Sequence, residues 1–204
     1  MAAGQRYGGR TAQERQAERR DRLLAAGLEL FGTQGYASTS IEALCAAARL
    51  HPRYFYESFA TREDLLRAVY DQHMERLAAA VGAALADAPT DPRARVETGL
   101  AAFVRTQLAD PRGARITYLE IVGVSMELER HRREVLRGFA ALVEAEADAL
   151  ARAGRIPARD HHLTALALGG AVDGLLTDCF TNPRPPSIEA IVATLVDLFL
   201  AAFL

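Results

Sequence analysis

The chain contains no lysine, no tryptophan and only two cysteines among its 204 residues. Cys45 and Cys179 are too few and too far apart for a zinc site or a disulfide framework, and both read as small buried apolar side chains. No run of about 18 apolar residues is present to span a bilayer, and the N-terminus is polar where a signal sequence would be apolar. A soluble, cytoplasmic protein with no membrane partner is expected. Missing too are a Gly-rich phosphate loop, a Cys-x-x-Cys pair and a Gly-x-Ser-x-Gly elbow, so neither a catalytic set nor a cofactor is expected. Adjacent His161 and His162 diverge on a helix and do not suggest a metal pair. His73 and His131 read as surface residues, and the charged run Glu127, Glu129, Arg130, Arg132, Arg133, Glu134 as a solvated helix face.

Without lysine, all 24 basic residues are arginine, and the net charge is −2. That total argues against nucleic acid, but its distribution does not. Residues 1–62 carry nine arginines against six acids, a balance of +3, and the remainder fifteen against twenty, a balance of −5. Positive charge therefore gathers near the N-terminus, in a side chain suited to bidentate contact with phosphate or guanine.

Half of the chain is hydrophobic, rich in alanine and leucine and poor in β-branched runs, which favours an all-α fold. Residues 1–10, with Arg6 and Arg10 among glycines, read as a flexible basic arm. Thr11 and Glu14 have capping-box spacing and open a helix to about Thr33, with Leu23, Gly27, Leu30 and Phe31 on its buried side and Arg15, Arg19 and Arg22 on the other. Next, Ile41, Leu44, Cys45 and Ala48 recur at helical spacing, with Thr39 as the cap. After a short break Pro52 opens a second short helix in which Phe55 and Phe59 lie four apart. Neither helix can bury its stripe alone, so both must pack on a third, leaving Arg53, Tyr54 and Tyr56 outward. A guanidinium and two phenols on an exposed helix suit a groove lined by phosphates and base edges. Glu57 reads as solvated.

This stretch resembles the TetR family of bacterial transcriptional regulators. The resemblance rests on Thr39-Ser40-Ile41, Leu44-Cys45, Ala48-Arg49-Leu50-His51, Phe55-Tyr56-Glu57-Ser58-Phe59 and Arg62-Glu63-Asp64-Leu65. Two positions depart from the family pattern: Arg49 stands where glycine usually makes the turn, and His51 where a Ser or Thr usually caps the reader helix. The resemblance implies a helix-turn-helix domain over residues 11–60 and a larger helical ligand-binding and dimerisation domain over 61–204, with about nine helices in all. It implies a double-stranded operator contacted through Thr39, Ser40, Pro52, Arg53, Tyr54 and Tyr56, the last resembling the family tyrosine that bonds phosphate. Arg62 falls where the family has a phosphate-binding lysine.

Thr61 to Asp64 repeats the capping-box spacing and starts a linking helix, 61–87. Breaks at 88–92, 110–113, 123–125, 154–157 and 181–186 separate the helices that follow, with a short one around Ile116 to Ile121. Phe103, Tyr118, Met126, Phe139, Leu142 and Asp173 are candidate linings of an effector cavity, although apolar residues at helical spacing serve a core equally well. Leu166, Gly169, Gly170 and Asp173 on the penultimate helix, and Ile191, Leu195, Leu198 and Phe199 on the last, are candidate dimer-interface residues. They present more apolar surface than one helical layer hides, and the resemblance implies that these helices form a four-helix bundle across a two-fold axis. The expectation is a homodimeric, effector-responsive repressor; the alternative is a helical carrier or enzyme using the C-terminal cavity.

Overall fold

A computed structural model describes residues 11–203; the arm expected over 1–10 lies outside the described residues. Among these, nine α-helices and one π-helical turn form the whole of the regular structure. The chain divides into two compact units, one ending at Gln72 and the other beginning at His73, with the division falling inside the fourth helix.

In the first unit, α1 (Ala12–Thr33) begins at a complete capping box: Glu14 N–H donates to Thr11 Oγ1 at 3.1 Å and Thr11 N–H to Glu14 Oε2 at 2.6 Å. Its buried stripe, Leu23, Leu24, Gly27 and Phe31, meets α2 (Ile41–Ala48), α3 (Pro52–Tyr56) and the start of α4 (Arg62–Ala86). Gly27 is a point of close approach, since a Cβ there would lie 2.9 Å from Val69 Cγ2. Leu44, Cys45, Phe55, Phe59, Leu65 and Leu66 complete this small core. The cap of α2 is Ser40, whose hydroxyl accepts from Ala43 N–H at 3.2 Å, and not Thr39 as the spacing suggests. Thr39 is fully buried and donates to Gly35 O at 2.7 Å, a bond available only because Gly35 turns the chain at φ 92°.

The second unit contains the rest of α4, then α5 (Pro92–Ala109), α6 (Pro111–Arg115), a π-helical turn (Ile116–Glu120), α7 (Met126–Arg152), α8 (His162–Thr181) and α9 (Ile188–Phe203). The Asp110 to Gly113 stretch, read as a break, instead opens α6. Pro111 takes the first helical position, where its missing N–H costs nothing, and Asp110 Oδ1 accepts from Arg112 N–H at 3.0 Å. The Asp110 carboxyl is held below its usual range, chiefly by the Arg112 side chain bonded to it. Leu100, Val104, Leu168, Leu176, Leu195 and Phe199 anchor a core in which α5 packs on α9 and α7 on α8.

The histidines are more enclosed than a surface reading of His73 and His131 implies. His73 is buried, its Nε2 donates to Gln107 Oε1 at 2.7 Å, and it is no surface residue. Burial pushes its pKa below the ordinary histidine value, with Arg76 acting in the same sense and Gln107 and Asp110 opposing. His161 is buried beside Phe203, ring centroids 5.4 Å apart, with neither ring nitrogen hydrogen-bonded. His131 is half-buried.

Candidate nucleic-acid interface and ligand cavity

The turn between α2 and α3 is built from residues that do not usually make such turns. Arg49 adopts the left-handed conformation, φ 52° and ψ 48°, and is the sole non-glycine residue with positive φ among those described. Helix ends commonly close this way with glycine, and a side chain there carries a strain of about 1–2 kcal/mol. Part of the compensation comes from Arg22, whose guanidinium donates to the Ala48 and Arg49 carbonyls and so satisfies acceptors that the end of α2 leaves open. Arg22, read from the sequence as simply outward, therefore clamps the turn. His51 takes the cap of α3 through Nδ1, which accepts from Arg53 N–H at 3.2 Å.

Phe55 is fully buried and lies 6.0 Å from Phe59, ring to ring, which fixes the rotation of α3 on the unit. Pro52, Arg53 and Tyr56 are consequently outward, Tyr56 at 61% exposure and the Arg53 side chain at 77%. Tyr54 is half-buried, with the Arg19 guanidinium 4.5 Å above its ring. Glu57 is exposed, as read, and its carboxylate is also engaged: Oε1 accepts from Arg53 Nε at 3.1 Å and Oε2 from Arg19 Nη2 at 3.3 Å. Arg62 has an inward engagement that the sequence did not disclose. Its Nη1 donates to Thr39 O and its guanidinium lies 4.2 Å above the Tyr36 ring, so it fixes the start of α2. Of the seven residues named for DNA, the structure gathers Ser40, Pro52, Arg53 and Tyr56 as exposed groups. Thr39 is buried, and Tyr54 and Arg62 are partly covered.

Within the second unit lies a cavity of about 150 Å³. Phe103, Tyr118, Phe139, Leu142 and Asp173 all line it. Met126 does not: it is the first residue of α7 and stands 80% exposed. Phe103 and Phe139 meet edge to face at 5.6 Å, and Tyr118, carried on the π-helical turn, stacks on Phe180 at 5.7 Å. The wall is apolar apart from a few groups. Asp173 is held by Arg132, whose Nη2 reaches its two oxygens at 3.0 and 2.9 Å, so Arg132 is a packed ion-pair partner and not part of a solvated face. Arg95 and Glu146, unforeseen in the sequence, both line the cavity and pair at 2.8 Å. Residues 51 apart leave no local spacing by which to find such a pair.

The candidate interface residues divide. Ile191, Leu195 and Phe199 belong to the unit's own core, and Gly169 and Asp173 line the cavity, because the inward face of α9 is taken by α5 and that of α8 by α7. Leu166, Gly170 and Leu198 remain exposed, joined by Leu163 at 76% exposure. The helix His162–Thr181 is long and apolar enough to cross a membrane by length and composition alone, and most of it is not buried within the chain. Among the described residues, no three metal-ligating side chains come together.

Residues 23–69 match the family model described as "Bacterial regulatory proteins, tetR family". The chain is 44% identical over 46 residues to the HTH-type transcriptional regulator TcmR of Streptomyces glaucescens, covering 22% of this chain and 20% of that protein. It is 30% identical over 117 residues to the HTH-type transcriptional activator FasR of Mycolicibacterium smegmatis, covering 57% and 52% respectively. The chain thus spans between a fifth and about half the length of these curated relatives. Its fold is similar to that of the transcriptional regulator FadR from Bacillus subtilis, solved in complex with stearoyl-CoA. The TM-score is 0.80 at 17% identity, over 89% of this chain and 98% of that one.

Proposed function

We propose that this chain, a tetR-family protein through its residues 23–69, is a ligand-responsive transcriptional regulator that binds a pseudo-palindromic operator as a homodimer. The observation that carries the proposal is the Pro52 to Tyr56 face, held outward by a Phe55 that is fully buried. On this reading residues 11–60 meet DNA and residues 61–204 receive the effector and the second subunit, in the cytoplasm and without catalysis. Arg53 reads a base edge, Tyr56 and the Ser40 end of α2 meet phosphates, and Tyr54 supports them from beneath Arg19. Two such faces enter successive major grooves about 34 Å apart.

The second copy covers the apolar outer side of α8, where Leu163, Leu166 and Gly170 recur on one face, together with Leu198 of α9. The effector is an apolar group, since the cavity of about 150 Å³ is of the size that accepts a benzene ring. A short or branched acyl chain, or an aromatic ring, meets that limit, with its polar end directed to Arg95 and Glu146. FadR's complex with stearoyl-CoA makes acyl thioesters the first class to test. An effector that favours a subunit arrangement unsuited to the operator weakens binding, by about 1–3 kcal/mol for couplings of this kind. Repression follows when the operator overlaps a promoter.

Selection from a randomised duplex library with the full chain tests the reading. The expected result is a two-fold-symmetric sequence bound in a salt-dependent manner. Binding of apolar ligands without any duplex preference would instead assign the chain as a carrier.

A further inference from the structure

Resting on that reading, we propose that Glu57 is a positioning residue which sets Arg53 to read one guanine in each operator half-site. An acidic side chain on a helix that enters a phosphate-lined groove is unfavourable unless it is neutralised or accepts from a base. Glu57 is neutralised from two directions. Its Oε1 accepts from Arg53 Nε at 3.1 Å, and its Oε2 accepts from Arg19 Nη2 at 3.3 Å. Arg19 is itself fixed, lying 4.5 Å above the Tyr54 ring with its side chain mostly covered. The Glu57 backbone is also held, since its carbonyl accepts from Gln16 Nε2 at 3.4 Å and its N–H donates to Arg53 O at 3.2 Å. The carboxylate is therefore a fixed post, and Arg53 is tethered to it.

The tether uses one edge of the guanidinium. With Nε committed to Glu57, the two terminal amino groups remain as a parallel fork on a side chain that is 77% exposed. Two parallel donors match the O6 and N7 acceptors of guanine. Adenine offers an acceptor beside a donor, thymine one acceptor beside a methyl, and cytosine a donor. Pairing with Glu57 also offsets the charge of Arg53. Phosphate, which attracts any cation, gains less from such a pair, whereas a base edge that selects by hydrogen-bond geometry gains from having the fork already oriented. A freely rotating arginine would do the opposite and favour phosphate over base.

The test is library selection followed by affinity measurement on the selected operator and its single-base variants, using the full chain and its Glu57→Ala, Arg19→Ala and Arg53→Ala variants. Each variant's thermal melt reports folding. In the parent, one position per half-site prefers guanine by about tenfold or more. Arg53→Ala abolishes that preference while retaining much of the affinity for unrelated duplex. Glu57→Ala reduces it several-fold, leaves other positions unchanged and leaves unrelated-duplex affinity equal or higher; Arg19→Ala does the same to a smaller degree. If Glu57→Ala and Arg19→Ala keep the parental guanine ratio, Glu57 is only an ion-pair partner and the inference is overturned. Guanine preference that persists in Arg53→Ala overturns the assignment of the reader. A parent chain that selects no sequence removes the regulator reading and this inference together, which separates the two kinds of failure.

Discussion

Gly113 sits in the middle of α6, where glycine is disfavoured by about 0.5–1 kcal/mol relative to alanine, so replacing it with alanine ought to help. The structure says otherwise. A Cβ at Gly113 would lie 2.3 Å from His73 Nδ1 and 2.4 Å from Cε1, both inside any tolerable contact. The ring cannot retreat without breaking the 2.7 Å bond to Gln107, a fully buried residue whose Nε2 already has no partner. Overpacking costs about 1–3 kcal/mol and stranding a buried amide about 1–3 more. Subtracting the helix gain, Gly113→Ala is expected to destabilise the second unit by about 1–5 kcal/mol. Because the chain has no tryptophan, the measurement is far-ultraviolet circular dichroism through urea and thermal unfolding. A double-mutant cycle makes the reasoning specific: in a His73→Ala background the obstructing ring is gone, and Gly113→Ala should then be neutral or slightly stabilising. Equal costs in both backgrounds would refute the clash as the cause.

Arg49→Gly should raise the stability of the first unit by about 1 kcal/mol, the relief of left-handed strain less the added freedom of the unfolded chain, seen as a higher urea midpoint. Phe55→Ala removes a fully buried ring and should cost about 3–5 kcal/mol while abolishing duplex binding that Tyr56→Phe only weakens. The lowered pKa of His73 fixes the sign of a pH effect. The unfolded chain takes up a proton that the folded one resists, so this contribution is intact above the ordinary value of 6.5 and is lost progressively as pH falls below it. Melting temperatures of the parent should fall through that range more steeply than those of His73→Gln. Arg132→Ala leaves Asp173 in the cavity wall without its cation and should cost about 1–3 kcal/mol after allowance for partial exposure, with altered ligand-induced melting shifts.

Helix order and most helix ends were legible because they depend on neighbours in sequence. Thr11 with Glu14, Thr61 with Asp64 and Pro52 at a first helical turn each act within four residues. The Arg49 turn was legible as a departure, and its left-handed backbone shows that a side chain there is tolerated, with Arg22 clamping the carbonyls. Outside this class are contacts made by folding. Ser40 takes the capping role that spacing suggests for Thr39, because the Thr39 hydroxyl is already engaged with Gly35 O. His73 stands among polar neighbours, and nothing before Gln107 and Gly113 arrive reveals its burial. The α9 stripe was visible, but sequence cannot distinguish a face turned to its own subunit from one turned to another; α5 takes Ile191, Leu195 and Phe199. Five of the six residues named for the cavity do line it, and Met126 fails because a helix's first residue projects beyond the wall.

The π-helical turn has a consequence for how the shape of the cavity can change. Its i to i+5 bond, from Ile121 N–H to Ile116 O at 3.1 Å, is what a helix looks like after accepting one surplus residue. Deleting a single residue between Thr117 and Glu120 would restore ordinary α-helical winding and swing Tyr118 or its replacement by roughly 100° about the axis. Insertions and deletions, usually the most disruptive of mutations, become at this spot a way to exchange the aromatic wall of the cavity in one step while the flanking helices keep their register.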